Sequence, residues 1–156
     1  SAPGDGNEIK AAFSSRWPAT ARMLIGAVDE WRRWALFTVP DNGDWSEGAI
    51  ALLGDAAHAM LPFAAQGAGM AIEDAAVLAQ HLSPETAEST DGIVAALKQY
   101  GRARQARVRR VQRTARQQGR IYHFSGPLAI ARDVAIRALG PERMLARQDW
   151  IYGWRP

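Results

Sequence analysis

An aspartate that follows a short apolar run is the residue in this chain best suited to bind a ligand. Residues 50–53 read Ile-Ala-Leu-Leu, a continuous apolar run typical of a strand covered on both faces. Gly54 has no Cβ, so the backbone can turn sharply there or come close to a ligand. Asp55 then lies where α/β proteins present binding groups, at the carboxyl end of a strand. A carboxylate in that place can accept two hydrogen bonds from a pair of sugar hydroxyls.

A glycine-rich helix start follows and supplies a second binding element. Pro62 fixes φ and therefore stiffens the intervening loop. Residues 66–69 read Gln-Gly-Ala-Gly and open a helix with almost no side chains in the way. The unsatisfied N–H groups and the positive dipole end of such a helix favour a negatively charged or electron-rich ligand edge. Glu73 and Asp74 lie in its early turns, where acidic side chains favour a helix start.

The apolar spacing predicts the helices that must support these residues. The first helix should run from residue 67 to about 82, with an apolar stripe formed by Ala71, Ala75, Leu78 and Leu82. A long second helix is expected over 91–118, and residues 89–91 offer it a polar cap. A third helix should cover 125–139, and Gly140-Pro141 should separate it from a short fourth one.

The remaining segments are predicted to be short. Strand-forming residues at 34–39 predict a strand before the turn cluster at 40–44. Short helices are expected at 9–13 and 18–25, whereas residues 1–8 carry no pattern of regular structure. The tail carries an apolar cluster that should dock on the rest of the protein, namely Trp150, Ile151, Tyr152 and Trp154.

The stretch around Asp55 resembles a long and specific family motif. Residues 54–58 (Gly-Asp-Ala-Ala-His), Pro62, residues 66–69 and residues 72–79 resemble the second FAD-binding motif of the flavin-dependent aromatic hydroxylases. The resemblance is greatest to the salicylate and 3-hydroxybenzoate hydroxylase branch. It covers most of the chain, but it corresponds only to the C-terminal part of such an enzyme.

The resemblance implies how the chain would contact FAD. Asp55, presented by Gly54, would hold the ribityl chain of the flavin. The backbone amides of Gly67, Ala68 and Gly69 would donate to the pyrimidine edge of the ring. Reduced flavin is an anion at that edge, so a helix N-terminus would stabilise it.

The resemblance also implies a substrate wall and an overall reaction. Pro62 and Phe63 would lie beside the isoalloxazine ring and the aromatic substrate. Phe63 offers no acid or base, so we assign no catalytic residue to this chain. The intact enzyme would use O₂ and NAD(P)H to hydroxylate a phenolic or other aromatic ring. It would be cytoplasmic, with no nucleic-acid or membrane partner, and a homodimer is left open as its oligomeric state.

The fingerprint for the ADP half of FAD is missing from the sequence. The family opens with a strand, Gly-x-Gly-x-x-Gly and a helix. Gly67 and Gly69 supply two glycines, but position 72 is Ile and a loop precedes them. We therefore expect a mostly helical α/β fragment: the C-terminal portion of a FAD/NAD(P)-binding fold of the glutathione-reductase type. It should contain at least one cofactor-sheet strand and three or four helices, and it should be inactive alone.

Three functional segments are predicted along the chain. Residues 1–45 would end the substrate-binding region, residues 46–83 would form the strand–loop–helix of the FAD motif, and residues 84–156 would form a C-terminal helical region.

The amino-acid composition excludes several other classes of protein. A content of 47% hydrophobic residues fits a globular protein, and the absence of cysteine excludes disulfides and thiolate metal sites. No apolar run is long enough for a membrane span.

Two alternatives to a hydroxylase stay open. Eight arginines fall between residues 102 and 120, which could indicate a non-catalytic helical module that binds nucleic acid or an acidic partner. We favour a solvated helix face that meets acidic neighbours in the same protein, because no aromatic residues alternate with the arginines. The other alternative is a flavin oxidoreductase of the same fold that does not hydroxylate.

The histidines support no further chemistry. His58 could act with Asp55 as an acid, a base or a metal ligand, but we favour a histidine satisfied by backbone in a packed turn. His58, His81 and His123 lack the spacing of ligands to one ion, so no metal site is predicted.

Overall fold

The computed structural model describes residues 1–13 and 17–155. Residues 14–16, in the predicted 1–45 segment, and Pro156, in the predicted 84–156 segment, lie outside the described residues. The chain forms two compact units, Ser1–Leu36 and Phe37–Pro156. The division into three functional segments stays a prediction.

The first unit combines a small sheet with two helices. In chain order its elements are β1 (Ala2–Gly4), α1 (Gly6–Ala12), α2 (Ala19–Gly26) and β2 (Trp31–Arg33). β1 and β2 pair antiparallel. Asp5 caps α1, since its carboxylate accepts from the N–H of Asn7 at 2.8 Å. The expectation that residues 1–8 lack regular structure is therefore wrong, because β1 depends on a partner far along the sequence.

The second unit is mostly helical, as predicted. Its elements are β3 (Ser46–Glu47), β4 (Ile50–Ala51), α3 (Asp55–His58), a 3₁₀ turn (Pro62–Ala64), α4 (Gly67–His81), a second 3₁₀ turn (Thr86–Glu88), α5 (Thr90–Tyr122), α6 (Gly126–Ala146) and α7 (Asp149–Tyr152). The core lies mainly between α4 and α5, with Trp45 at one edge. α5 begins at one of the predicted caps: the Ser89 hydroxyl accepts from the N–H of Gly92 at 3.0 Å.

Both predicted strands need correction. Residues 34–40 form no strand, because the pairing is made just upstream by Trp31–Arg33. The strand predicted over residues 50–53 is reduced to Ile50–Ala51, which pairs with Ser46–Glu47 in a short hairpin. The hairpin is only two strands wide and contacts α5, so Ile50 is 72% exposed rather than covered on both faces.

The predicted break near the end of the chain is confirmed. Gly140, inside α6, has φ +72° and ψ 167°, and Pro141 follows it. Only a glycine adopts that backbone conformation readily, and proline cannot continue the preceding hydrogen-bond pattern. α6 therefore consists of two helical stretches that meet at a kink. The first stretch begins after Ser125, as the sequence predicts.

Candidate functional site

The turn that introduces Asp55 requires glycine. Gly54 has φ +60° and ψ −137°, a region that L side chains rarely adopt. A Cβ added there would also lie 3.3 Å from the Cβ of Ala71 on α4. The sequence prediction that the backbone turns sharply at Gly54 is confirmed. The close approach brings the start of α3 against α4.

The carboxylate of Asp55 lies at the mouth of α4. A Cβ built on Gly67 would be 3.8 Å from Asp55 Oδ1, so the carboxylate faces the first residue of the helix. Asp55 is exposed, and within the described residues its carboxylate oxygens accept no hydrogen bond. The structure thus brings together the two elements that the sequence analysis singled out, and it leaves the acceptor capacity of Asp55 unused.

The mouth of α4 presents backbone rather than side chains. The N–H of Met70 donates to the carbonyl of Gln66 at 2.9 Å, which leaves the amides of Gly67, Ala68 and Gly69 without a partner inside the helix. Ala68 is exposed, and Gln66 is buried with its Oε1 3.4 Å from the position of a Cβ on Gly69. These three amides form a compact donor group beside the carboxylate of Asp55.

The loop before α4 has an unusual backbone. Pro62 is exposed and opens the 3₁₀ turn, whose last residue Ala64 is followed by Ala65 with φ +51°. Ala65 is the one non-glycine with positive φ among residues 1–13 and 17–155. Such a conformation costs about 1–3 kcal/mol and persists only where surrounding contacts enforce it.

The ring of Phe63, in the same 3₁₀ turn, packs on the end of α5. It lies edge-on to the rings of His123, at 5.6 Å between centroids, and Tyr122, at 6.2 Å. The ring edge also covers Gly119. An open groove of about 360 Å³ adjoins it, lined by Leu61, Phe63, Arg116, Gly119, Arg120 and His123. Phe63 therefore fixes the loop and forms one wall of an apolar groove.

Beneath the turn lies a fully buried aspartate. Asp74 on α4 has no exposed surface. Its Oδ2 accepts from the N–H of Gly54 at 3.2 Å and from Nε2 of His58 at 2.5 Å. Its Oδ1 accepts from Nε of Arg104 at 2.8 Å. Burial raises the pKa of Asp74, but the hydrogen bonds from these three donors outweigh it, so the pKa lies below its ordinary value.

A second buried carboxylate extends this cluster to the tail. Glu73 forms an ion pair with Arg104 at 2.8 Å and accepts from two nitrogens of Arg107 at 2.6 Å each. Arg107 also donates to the carbonyls of Trp150 and Ile151, at 2.8 and 2.9 Å. The tail therefore docks, as predicted from its apolar residues, although Tyr152 of that cluster is 67% exposed.

The residues of this cluster have roles that differ from those predicted from sequence. Glu73 and Asp74 do not serve the start of α4, since they lie beyond its first turn and bind arginines. The ring of His58 is satisfied by Asp74 rather than by backbone, and its Nδ1 is buried without a partner in the described part of the chain.

The buried face of α4 was also misplaced. Met70, Glu73, Asp74 and Val77 are buried, whereas in the predicted stripe Ala75 is exposed and Ala71, Leu78 and Leu82 are only partly buried. Residues 70, 73, 74 and 77 follow the i, i+3, i+4, i+7 spacing of a helix face, which a search limited to apolar residues overlooks. That spacing on α4, together with the position of Arg104 among the core positions of α5, is the sequence signal that these charged residues are buried.

The arginine run of α5 is largely engaged inside this unit. Besides Arg104 and Arg107, Arg109 donates to the carbonyl of Asp41 at 2.6 Å and Arg116 pairs with its carboxylate at 2.9 Å. That pair lowers the pKa of Asp41. Arg110 lies 3.8 Å from the ring centre of Trp150. Half of the run thus meets acidic side chains or backbone of the same unit, which weakens the nucleic-acid alternative.

Residues 1–13 and 17–155 contain neither a candidate metal cluster nor a candidate membrane-spanning helix. No group of three or more His, Asp or Glu side chains there could hold a metal ion. No helix in the same residues is both long and apolar enough to span a lipid bilayer.

Known proteins resemble the chain over almost its whole length. The 3-hydroxybenzoate 6-hydroxylase of Polaromonas naphthalenivorans is 36% identical over 151 residues, a match that covers 97% of this chain and 36% of that protein. The 3-amino-4-hydroxybenzoate 2-monooxygenase of Streptomyces platensis is 42% identical over 155 residues, covering 99% of this chain and 37% of that protein. The chain spans about a third of the length of the curated relatives it matches.

A solved structure and a family model agree with these relatives. The structure of a salicylate hydroxylase substrate complex matches with a TM-score of 0.76 and 29% identity, covering 98% of this chain and 36% of that one. The family model described as an FAD binding domain matches residues 24–115, which include both Asp55 and the mouth of α4. Because that match extends over more than half of the sequence, the chain belongs to the FAD-binding domain family.

Proposed function

We propose that this chain forms the part of an FAD-dependent aromatic-ring monooxygenase that binds the riboflavin half of FAD and forms one wall of the substrate site. The observation that supports this most directly is the position of Asp55 beside Gly67. The relatives named as hydroxylases and monooxygenases of hydroxybenzoates support the reaction class and an aromatic substrate.

The residues at the mouth of α4 fit a flavin. The two oxygens of Asp55 can accept from neighbouring hydroxyls of the ribityl chain, since no described residue donates to them. The amides of Gly67, Ala68 and Gly69 can donate to the pyrimidine edge of the ring. Their dipoles are fixed by the helix, so they stabilise negative charge on that edge with little reorganisation.

The loop that holds Pro62 and Phe63 would form the wall beside the aromatic substrate. Phe63 is fixed against α5, and its neighbouring groove is apolar, so this wall can exclude water. Neither residue can transfer a proton, and their role is to orient the ring. The bound flavin supplies the redox chemistry with NAD(P)H and O₂.

No strand with a Gly-x-Gly-x-x-Gly turn is found in the sequence, and that unit binds the ADP half of the cofactor in the resembling family. We propose that the 156-residue chain alone neither binds FAD tightly nor turns over. Flavin absorbance and NADH consumption measured on this chain test the statement, and stoichiometric tight FAD would contradict it. A cytoplasmic location is part of the same proposal, and a homodimer is the oligomeric state to be tested.

The full-length protein that carries this chain allows the decisive test of the site. Asp55→Asn keeps the shape of the side chain but weakens its acceptors, so the Kd for FAD should rise about 10- to 100-fold, as expected for hydrogen bonds to a charged group. Asp41→Asn is the matched control, because Asp41 is an exposed carboxylate of the same unit that pairs with Arg116. Equal FAD affinity in the two variants would reject the proposed role of Asp55.

A further inference from the structure

We propose that Asp74 is a positioning residue of the flavin site: it fixes, from beneath, the turn from which Asp55 projects. The inference rests on the proposed function of Asp55. It adds a residue that touches neither FAD nor substrate, and whose effect on binding is transmitted through the backbone at Gly54.

A single carboxylate oxygen holds both ends of α3. Oδ2 of Asp74 accepts from the N–H of Gly54, immediately before the helix, at 3.2 Å, and from the ring of His58, its last residue, at 2.5 Å. The helix is closed by its own bonds, since the N–H of His58 donates to the carbonyl of Gly54 at 2.9 Å. Asp55 is the first residue of this helix, so its direction follows from where Asp74 places the two ends.

Asp74 is itself held in one orientation. Its second oxygen accepts from Arg104, whose side chain is 2% exposed and is further fixed by Glu73. With both oxygens engaged and no exposed surface, the carboxylate of Asp74 cannot rotate without breaking a buried hydrogen bond.

Asp74 also links the two halves of the site. It belongs to α4, whose first residue Gly67 opens the donor group of the helix mouth. The turn at Gly54 is bonded to the same helix through Asp74. The distance between the acceptor Asp55 and the donors of the mouth is therefore set within one rigid assembly. Displacements of about 1 Å can matter greatly for a bound group, which is why such a link affects affinity.

Glu73 provides a matched comparison on the same helix. It is buried like Asp74, and it also forms an ion pair with Arg104. Its other partner is Arg107, and none of its hydrogen bonds goes to Gly54 or His58. Glu73→Gln should thus perturb the buried charge cluster without moving the turn at Gly54. Asp74→Asn should perturb the cluster and also move the turn.

The test uses the full-length protein and four variants: Asp55→Asn, Asp74→Asn, Glu73→Gln and the double variant Asp55→Asn/Asp74→Asn. The Kd for FAD is measured by flavin fluorescence, and the thermal unfolding and amide hydrogen exchange of residues 54–58 are measured on the apoprotein. Asp74→Asn should raise the Kd about tenfold or more and speed exchange at 54–58. Glu73→Gln should lower the unfolding temperature but leave the Kd within about twofold of wild type.

The double variant decides how Asp74 acts. If Asp74 acts through Asp55, the Kd for FAD of the double variant should exceed that of Asp55→Asn alone by no more than about twofold. Multiplicative effects in the double variant, or an equal loss of affinity in Glu73→Gln, would overturn the inference. If Asp74→Asn does not fold, His58→Gln replaces it in the cycle with the same expected outcomes. A wild-type protein that binds no FAD would instead overturn the proposed function, and the inference with it.

Discussion

A methyl group added at Gly119 should collide with Phe63 and move the proposed substrate wall. A Cβ on Gly119 would lie 2.6 Å from Cδ2 and 2.7 Å from Cε2 of Phe63. Carbon atoms pack at about 3.5–4.0 Å, so in Gly119→Ala the ring must withdraw by roughly 1 Å. The ring is also bounded by His123 and Tyr122, which limits where it can go.

The size of the effect follows from two opposing terms. Overpacking of this kind costs about 1–3 kcal/mol, whereas alanine in place of glycine inside a helix gains about 0.5–1 kcal/mol. Gly119→Ala should therefore lower the free energy of unfolding by up to about 2.5 kcal/mol. Gly101→Ala is the control on the same helix, because a Cβ there would lie 3.5 Å from Trp45 Cβ, an ordinary contact. That variant should be more stable than wild type by about 0.5–1 kcal/mol.

Urea unfolding of the full-length protein measures the stability of both variants. Steady-state kinetics then distinguishes an effect on the substrate wall from an effect on FAD binding. Gly119→Ala should raise the KM for the aromatic substrate while the Kd for FAD stays unchanged, since Phe63 lies on the substrate side of the loop in our proposal. If Gly119→Ala is as stabilising as Gly101→Ala, Phe63 is not held against α5, and the reasoning about the wall is refuted.

Three other outcomes are expected in the full-length protein. Tyr100→Phe removes the hydrogen bond to the carbonyl of Leu52 at 3.1 Å and should cost about 0.5–1.5 kcal/mol in urea unfolding. Burial raises the pKa of Asp74, but its hydrogen bonds lower that pKa more. The contribution of the Asp74 carboxylate to stability is therefore complete above about pH 4, and it is lost as the pH falls through the lower pKa of the folded state. Asp74→Asn should flatten this acid dependence of the urea midpoint. Arg107→Gln should release the tail and shift the emission of Trp150 to longer wavelength, because both carbonyls it holds lose their donor.

The features predicted correctly from sequence are local ones. The sharp turn at Gly54, the start of α4 at Gly67, the Ser89 cap and the break at Gly140 each depend on a few neighbouring residues. Such signals are complete within one stretch of chain, so reading them needs no knowledge of the fold. The adjacency of Asp55 and Gly67 was predicted through a family resemblance, and their role in binding stays a prediction.

The features missed by sequence depend on distant partners. β1 exists because β2 pairs with it, and residues 2–4 alone carry no strand signal. Likewise Asp74 and Arg104 are thirty positions apart in the sequence: each falls at the spacing of a buried helix face, but their pairing appears only when α4 and α5 are packed together. A charged residue is expected outside by default, since burial without a partner is costly. Only the pairing makes these positions interior.

Asp55 and Asp74 show why residue type and local pattern do not separate binding from support. Asp55 follows a glycine turn and Asp74 lies within a helix, yet the helix residue holds the turn. If Asp55 had to fix its own loop with side-chain hydrogen bonds, as an aspartate at a helix start commonly does, its oxygens would be occupied and could not accept from a ligand. The buried partner makes those hydrogen bonds instead, so the exposed carboxylate stays available. In our proposal Asp74 is this second acceptor, and it leaves the carboxylate of Asp55 free to accept from a ligand.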